Sequence, residues 1–537
     1  MGFFFSSLLW ELFIVIVAVV GYIYYFFTST FNYWKRRGVA YVKPLPIVGN
    51  LKDMAFLRTT QAEGFKDLYF KFVGERFAGL YQTRIPMLML RDPELIKQVL
   101  IKDFSHFHDR GMPHDIPNDP ITGNLVILEG APWRSLRTTL NPAFNASKMR
   151  MLFHLVSQCA DQLAGCLDEV ATSDQVVDLR DFLARFATDV IGTCAFGVDC
   201  NSMRDPESEF RKFGERIISP PTTFSLARLL RYSAPGLLKM LGIRIFDKDM
   251  TDFFIRVVKD ALDYREKNHV QRKDFLQLLI NMKNNVDVNE DDDEEEKEQH
   301  RLEREADRNN LDYGAKGKWN YDIEFDDNMI AAQVCVFFLG GFETASTTMS
   351  FCLYELALNT DLQRRVREEV DQVVQLHGGK ITYNTLQDME YLDLVIKETL
   401  RKYPALPNLI RVCTKEYRIP DSDVTVEKGT PIIVPIYSIQ RDPQYYTDPE
   451  RFDPERFRED NVEKRPPYTY MPFGEGPRIC IGLRFGMMTV KMGLSTMLSR
   501  YEFSVCDKTA IPLQMDTTKF VMNTVGGIWL QVQRRQQ

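Results

Sequence analysis

Apolar positions divide the chain into a strongly apolar first segment and a long region of mostly helical pattern. Leu12 to Phe27 is apolar apart from one glycine and the tyrosines, and Leu8 to Trp10 extends it. Together they supply about 20 residues, enough to cross the hydrocarbon core of a bilayer as a helix. Glu11 is the one charged residue among residues 1–34. The pattern therefore predicts a single membrane anchor in residues 1–34.

The residues after this apolar segment predict the orientation of the anchor. Lys35, Arg36 and Arg37 follow at once, and no small-residue cleavage site is evident. By the positive-inside rule the remainder faces the cytoplasm, which predicts an endoplasmic reticulum membrane protein with a cytoplasmic catalytic part. A cleaved signal peptide is the alternative, but its positive charge usually precedes the apolar stretch. Residues 35–50 are basic and proline-rich, so they predict a stiff hinge before a catalytic domain at residues 51–537.

Periodicity in the remaining chain predicts a mainly α fold with small β-sheets. Most of Asp92 to Met282 has helical patterning, whereas residues 283–320 are acidic and poor in apolar side chains, which indicates a solvated insert. Asp326 to Leu358 is apolar on nearly all sides and predicts one long helix through the core. Alternating stretches near residues 424–435 and 520–532 predict two hairpins.

Composition excludes several classes of function. The 537 residues include 67 Lys and Arg against 74 Asp and Glu, and the acidic run Glu290 to Glu296 accounts for that excess. A near-neutral remainder gives no support for nucleic-acid binding. The nine cysteines are dispersed, odd in number and without a C-x-x-C pair, so we expect reduced thiols. The seven histidines are scattered and predict no histidine metal site.

A single cysteine, Cys480, lies in the segment Phe473 to Gly482 among glycines, a proline and Arg478. Glycines permit tight turns and close approach of the backbone. A cysteine thiolate in such a loop can ligate haem iron and donate the electron density that favours O–O cleavage. An isolated cysteine is more often a small buried apolar residue. The length and register of this segment favour iron ligation.

The long predicted helix contains Gly340, Gly341, Glu343 and Thr344. Two adjacent glycines in a buried helix cost about 1 kcal/mol each relative to alanine, and their absent side chains would open a groove for a flat cofactor or dioxygen. Gly340 and Thr344 share one face, where a hydroxyl can bond an oxygen ligand and the neighbouring carboxylate can supply protons. The alternative is a kinked helix with a threonine bonded to its own backbone.

These two segments resemble the haem-binding loop and the oxygen-activation helix of the cytochrome P-450 superfamily. The resemblance extends from the anchor to Val532, and Phe104 to Gly111 and Arg272 to Phe275 look most like insect microsomal members that oxidise foreign compounds. It implies a fold with a long central helix over the haem, preceded by one transmembrane helix. It also implies haem b as cofactor, with Cys480 as the metal ligand and Thr344 and Glu343 as the catalytic pair.

The resemblance assigns further roles. The residues expected to contact the haem, several of them through its propionates, are Trp133, Arg137, Arg411, Arg478, Phe473, Gly340 and Gly341. Glu398, Arg401 and Arg456 are expected to form a buried network that holds the fold. Gln440 occupies a position where the family pattern leads us to expect histidine.

The function implied is insertion of one oxygen atom from O2 into apolar small molecules, namely xenobiotics or else hormones or lipids. The chain lacks a G-x-G-x-x-G fingerprint after a predicted strand, so electrons must come from a partner. We expect NADPH-cytochrome reductase, with a small electron-donating haem protein as a second donor. Docking candidates are Arg134, Lys148 and Arg150. Substrate-facing candidates are Phe107, Phe337, Phe338, Leu406 and Leu409. A haem-thiolate isomerase or dehydratase and a non-catalytic ligand sink are the alternatives.

Overall fold

A computed structural model describes residues 2–173, 175–218, 244, 246–284 and 325–535. The predicted acidic insert at residues 283–320 lies outside the described residues, apart from Lys283 and Asn284. The predicted mainly α architecture with small sheets is confirmed, and so is the long central helix.

Twelve α-helices of nine or more residues occur among the described residues. They are α1 (Gly2–Thr28), α2 (Gln61–Tyr69), α3 (Gly130–Leu140), α4 (Ala146–Thr172), α5 (Leu179–Ile191), α6 (Glu209–Ile218), α7 (Lys248–Asn268), α8 (Phe275–Lys283), α9 (Asp327–Leu358), α10 (Thr360–Leu376), α11 (Glu390–Lys402) and α12 (Leu483–Arg500). Shorter α-helices are Tyr33–Arg36, Lys52–Ala55, Pro93–Lys97, Tyr383–Gln387, Ile436–Ile439 and Glu459–Glu463.

Three small sheets flank the helices. Their strands are β1 (Phe77–Gln82), β2 (Ile85–Leu90), β3 (Val176–Asp178), β4 (Leu409–Val412), β5 (Tyr417–Arg418), β6 (Thr425–Val426), β7 (Pro431–Val434), β8 (Tyr501–Val505) and β9 (Trp529–Arg534). The first sheet has the order β1-β2-β7-β4, with β2 and β7 parallel and the other pairs antiparallel. The antiparallel second sheet has the order β3-β9-β8, and β5 pairs with β6.

Both predicted hairpins are wrong in their pairing. The strand predicted at residues 424–427 corresponds to β6, which pairs with β5, whereas β7 pairs with β2 and β4. β9 pairs with β3 and β8, and residues 520–522 form no strand. The apolar pattern located β6, β7 and β9, but β7 and β9 pair with the distant strands β2 and β3, and β6 pairs with the strand that precedes it, none of which periodicity reports.

The central helix α9 begins as its sequence predicts. The Asp326 side chain accepts a hydrogen bond from Met329 N at 2.7 Å and so caps the first turn. Helices α5, α7 and α12 pack around α9, and most of its side chains are buried. This explains why a helix of 32 residues has apolar positions on every side. Both α1 and α9 are long and apolar enough to span a membrane, but α9 is mostly enclosed in the core while α1 is exposed.

The chain that leaves α1 enters the globular core directly. Trp34 is fully buried, its Nε1 donates to Leu80 O at 3.0 Å, and its ring fills the space left by Gly79. Tyr81 Oη donates to Phe31 O at 3.0 Å. The predicted boundary at residue 34 therefore falls inside a packed region, and we place the end of the removable anchor at residue 28.

Deleting residues 2–28 should give a stable folded domain, whereas deleting residues 2–34 should not. The longer deletion removes Trp34, and loss of a buried tryptophan typically costs about 3–5 kcal/mol. The measurement is thermal unfolding of both truncated proteins.

The matched control compares Trp34→Ala with Trp10→Ala in the full chain. Trp10 is 66% exposed on α1, so its replacement should leave the unfolding midpoint of the globular part unchanged. Equal midpoints for the two truncated proteins would contradict the placement of Trp34 in the core.

Candidate active site

The loop before α12 has a backbone that its glycines make possible. Gly476 has a φ of +70°, and a Cβ atom there would lie 2.1 Å from Leu100 O, so only glycine fits. Cys480 N donates to Phe473 O at 2.9 Å, which closes the loop. The sequence from Phe473 to Cys480 therefore folds into a tight support for one sulfur atom.

Cys480 differs from the other cysteines in its surroundings. It is the one exposed cysteine in the described chain, whereas Cys352, for example, is buried with a pKa raised by burial to about 12. Burial also raises the pKa of Cys480, opposed by the backbone N–H of Gly482 and the charges of Arg137 and Arg110. A side chain that is surrounded by protein and yet accessible borders an interior space. Its accessibility makes this sulfur the best candidate for a metal ligand among the described cysteines.

An accessible strip interrupts the buried surface of α9. Val336 and Leu339 are half-buried, Gly340 is exposed and Thr344 is half-buried, while Val334, Cys335 and the phenylalanines between are buried. Val336, Gly340 and Thr344 are spaced by four, so they share one face of the helix. The strip combines apolar side chains with one hydroxyl, as a binding site for apolar molecules requires.

The two adjacent glycines of α9 have different surroundings. A Cβ atom on Gly340 would meet nothing within 4 Å, whereas one on Gly341 would lie 2.8 Å from Ile191 Cδ1 of α5. Gly340 thus faces open space, and Gly341 allows close packing of two helices. Thr344 Oγ1 donates to Gly340 O at 2.6 Å, the backbone hydrogen bond that the sequence left as an alternative.

Glu343 points away from the accessible strip. Its carboxylate is buried and forms an ion pair with Arg180 of α5. Asn523 Nδ2 also donates to Glu343 Oε1 at 3.2 Å, and Arg180 Nη1 donates to Ser346 Oγ at 2.9 Å. Glu343, the acid next to Thr344 in the sequence, is therefore held by the Arg180 guanidinium and the Asn523 side-chain amide, both from distant segments.

The positive charges of several arginine side chains repel one another close to Cys480. Arg411 of β4 is buried, and its Nε and Nη2 have no hydrogen-bond partner among the described residues. Burial and the charge of Arg110 lower the pKa of Arg411 to about 9. Burial and the charge of Arg137 lower the pKa of Arg110 to about 10. A buried guanidinium with unused donors, such as that of Arg411 beside other cations, requires an anionic partner.

Arg478 and Trp133 form a contact of their own. The Arg478 guanidinium lies 3.8 Å from the centroid of the Trp133 ring, a cation–π arrangement. Its Nε, Nη1 and Nη2 donate to His108 O, Leu125 O and Leu128 O at 2.9, 3.3 and 2.9 Å. Burial and the charges of Arg110 and Arg411 lower the pKa of Arg478. All three nitrogen atoms of the Arg478 guanidinium therefore donate to protein carbonyls, and the group packs against the Trp133 ring.

The residues present fit a haem. The accessible sulfur of Cys480 is the type of ligand that haem iron accepts, and the unpartnered donors of Arg411 suit a propionate carboxylate. Arg110 and Arg137 add positive charge next to the same sulfur. An anionic, flat, iron-containing group is what this donor set would hold.

The expected network beneath the loop is present. Arg401 Nε and Nη2 donate to Glu398 Oε2 and Oε1 at 2.7 and 2.8 Å, and both side chains are 0% exposed. Arg456 Nε lies 3.5 Å from Glu398 Oε1. Gln440 takes part as well, because its Nε2 donates to Arg401 O at 2.9 Å and its Oε1 accepts from Met471 N at 3.1 Å. A glutamine therefore ties α11 to the chain just before the cysteine loop.

Three of the substrate-facing candidates lie in packed aromatic clusters. Phe107 is buried against Tyr417, with ring centroids 4.9 Å apart. Phe337 packs on Phe144 and Phe338 on Phe342, at 5.1 Å in both cases. Leu406 and Leu409 are half-buried. The three aromatic candidates therefore contribute to packing, whereas Val336 and Leu339 of the α9 strip are partly accessible.

Sequence reasoning missed several residues of the site. Arg110 lies in Phe104 to Gly111, a segment that resembles insect microsomal members, but nothing in the sequence indicates that it lies near Cys480. Arg180 and Asn523 gave no signal, since single polar residues in unremarkable patterns are common on surfaces. Val336 and Leu339 could have been found, because they precede Gly340 by four and one positions on the predicted helix.

The sequence matches proteins of one family over almost its whole length. The profile of the Cytochrome P450 family matches residues 40–301 and 292–530. The chain is 41% identical over 524 residues to "Probable cytochrome P450 6a13" of Drosophila melanogaster, covering 97% of this chain and 98% of that protein. It is 40% identical over 512 residues to "Cytochrome P450 6k1" of Blattella germanica, covering 95% and 94%. It is 39% identical over 514 residues to "Cytochrome P450 6A1" of Musca domestica, covering 95% of each.

Proposed function

Because the chain belongs to the cytochrome P450 family, a family of haem-thiolate monooxygenases, we propose that it oxidises apolar small molecules, foreign compounds above all, at a cytoplasm-facing membrane site. The cofactor is haem b, whose thiolate-ligated iron supplies the activation of dioxygen. The observation that carries the proposal is the accessible Cys480 sulfur under the charges of Arg137 and Arg110, together with the unused donors of the buried Arg411.

In this proposal each group of the site has one task. Cys480 provides the thiolate, and Arg110, Arg137, Arg411 and Arg478 hold the propionates. Arg478 is in turn held by carbonyls and by the Trp133 ring. Charge-assisted hydrogen bonds from buried guanidinium groups are stronger than neutral ones, so they fix the orientation of the cofactor.

In this proposal the accessible strip of α9 binds substrate and takes part in proton delivery. Val336 and Leu339 offer apolar contacts and exclude water, which favours apolar substrates without selecting one. Thr344 donates a hydrogen bond where dioxygen is activated. To do so, its hydroxyl first breaks its hydrogen bond to Gly340 O. Glu343 can relay protons only when Arg180 and Asn523 release its carboxylate, so their contacts control that relay.

Electrons come from outside the chain in this proposal. A membrane-bound NADPH-cytochrome reductase is the donor we propose, with a small haem protein as a second source. Arg134 lies in α3, the helix that also carries Arg137, and Arg150 is exposed on α4, whereas Lys148 near the start of α4 is buried and contributes no docking charge. The basic side chains of Arg134 and Arg150 suit an acidic partner. We propose that the exposed α1 anchors the chain in the same membrane as the reductase, that of the endoplasmic reticulum.

The test is a reconstitution of the full chain in lipid vesicles with reductase, NADPH and ¹⁸O2. We expect one ¹⁸O atom in the product of an apolar substrate, and no product when reductase is omitted. Product formed without NADPH would support an isomerase or dehydratase instead. Substrate binding without any product would support a ligand sink.

Thr344→Ala should preserve haem and substrate binding but lower the yield of product per NADPH consumed. The hydroxyl is small, so packing changes little, while a positioned proton donor is typically worth about 10²–10⁴-fold in rate. Electrons should then appear as hydrogen peroxide. The measurement is product, NADPH and peroxide in the same reaction.

Thr348→Ala is the matched control. Thr348 lies one turn further along α9, and its hydroxyl donates to Thr344 O at 2.8 Å from a buried position. It should leave the ratio unchanged. An unchanged ratio in Thr344→Ala as well would exclude Thr344 from the chemistry.

A further inference from the structure

A buried glutamine of α9 holds a separate segment of the chain. Gln333 is fully buried, seven residues before Gly340. Its Oε1 accepts from Leu125 N at 3.0 Å and its Nε2 donates to Gly123 O at 3.0 Å. One side-chain amide thus replaces the backbone partners that the segment 123–125 would have in a sheet.

The segment that Gln333 holds continues into residues 125–128, whose carbonyls accept hydrogen bonds from two arginines. Leu125 O and Leu128 O accept from Arg478. Val126 O accepts from Arg110 Nη1 at 2.9 Å. Asn124 shapes the segment from within, since its Oδ1 accepts from the amides of Val126 and Ile127 at 2.9 and 3.1 Å. Three carbonyls of residues 125–128 are therefore aimed at guanidinium groups.

We propose that Gln333 is a positioning residue that sets Arg110 and Arg478 relative to α9, and thereby the seating of the haem carboxylates. The inference rests on the proposed function, because it takes these arginines to hold the propionates. The connection runs through hydrogen bonds only: α9 to Gln333, Gln333 to residues 123–125, and the carbonyls of residues 125–128 to the arginines. Helix α9 packs against residues 120–123, and the Gln333 amide adds the hydrogen bonds that join α9 to Leu125 N and Gly123 O.

A merely structural glutamine would behave differently, and the chain contains one. Gln363 of α10 is also buried and bidentate, with Oε1 accepting from Phe503 N at 2.9 Å and Nε2 donating to Phe503 O at 2.8 Å. It joins α10 to β8. Gln363→Leu removes a bidentate side-chain amide from a buried position, as Gln333→Leu does. The backbone that Gln363 holds, however, supports none of the arginines.

The experiment compares the full-length holoproteins of wild type, Gln333→Leu, Gln333→Glu and Gln363→Leu. The readouts are the rate of haem transfer to apomyoglobin and the propionate bending bands in resonance Raman spectra, with thermal unfolding measured in parallel. Loss of partners that orient a metal site typically costs 10–100-fold in affinity. We expect haem release from Gln333→Leu to rise by about 10-fold or more within this range, with shifted propionate bands.

Gln333→Glu keeps the acceptor for Leu125 N and loses the donor to Gly123 O, so its release rate should fall between those of wild type and Gln333→Leu. Gln363→Leu should lower the unfolding midpoint while leaving haem release and the propionate bands unchanged. Equal effects of Gln333→Leu and Gln363→Leu on haem release, or none from Gln333→Leu, would overturn the inference. A wild-type protein without a thiolate-type spectrum would instead overturn the proposed function.

Discussion

Replacing Cys480 should abolish the thiolate-type spectrum of the reduced, carbon-monoxide-bound protein and reduce product formation to background. Cys480→Ala removes the sulfur, and Cys480→His substitutes a nitrogen ligand with less electron donation to iron. Both changes leave the loop backbone intact, because its shape depends on Gly476 and on the Cys480 amide rather than on the side chain. The measurement is the position of the Soret band, followed by product assay.

Cys413→Ala is the control for this prediction. Cys413 is buried in the apolar cluster around the first sheet, and its Sγ lies 2.8 Å from Lys415 O. Its replacement should leave the spectrum unchanged. If Cys413→Ala abolished the thiolate band and Cys480→Ala did not, the ligand would be assigned to the wrong cysteine.

Arg401→Ala should prevent accumulation of folded holoprotein. The ion pair with Glu398 is 0% exposed on both sides, and removing one member of a buried pair leaves an uncompensated charge at a cost of about 3–5 kcal/mol. The change also removes the bond from Arg401 Nη1 to Gln440 O at 2.9 Å, so the link toward Met471 and the cysteine loop weakens. Thermal unfolding and the yield of haem-containing protein measure the effect.

The matched control is Arg365→Ala. Arg365 Nη1 lies 2.7 Å from Glu455 Oε1, a distance like that in the buried pair, but its side chain is 45% exposed. Exposed pairs contribute about 0–1 kcal/mol, so the midpoint should move little. A comparable loss in both variants would mean that burial is not what makes the Glu398–Arg401 pair important.

Features that depend on local patterns were predictable from the chain. The limits of α9 followed from the apolar character of Asp326 to Leu358, and the structure agrees to within one residue at its start. The Glu398–Arg401 pair followed from the resemblance to the family. The departure at Gln440 was visible too, but not its consequence, because its partners Arg401 O and Met471 N lie on separate segments.

The sequence by itself determined the anchor, the long apolar helix, the cysteine loop and the family, because each is encoded in a contiguous stretch whose spacing reports one local conformation. Only the tertiary structure decided which strands pair, that Trp34 belongs to the core, that Arg180 holds Glu343 and that Arg110 stands beside Cys480. These are contacts between residues far apart in the chain. Their energy comes from burial and charge in the folded molecule, which no local pattern of residues records.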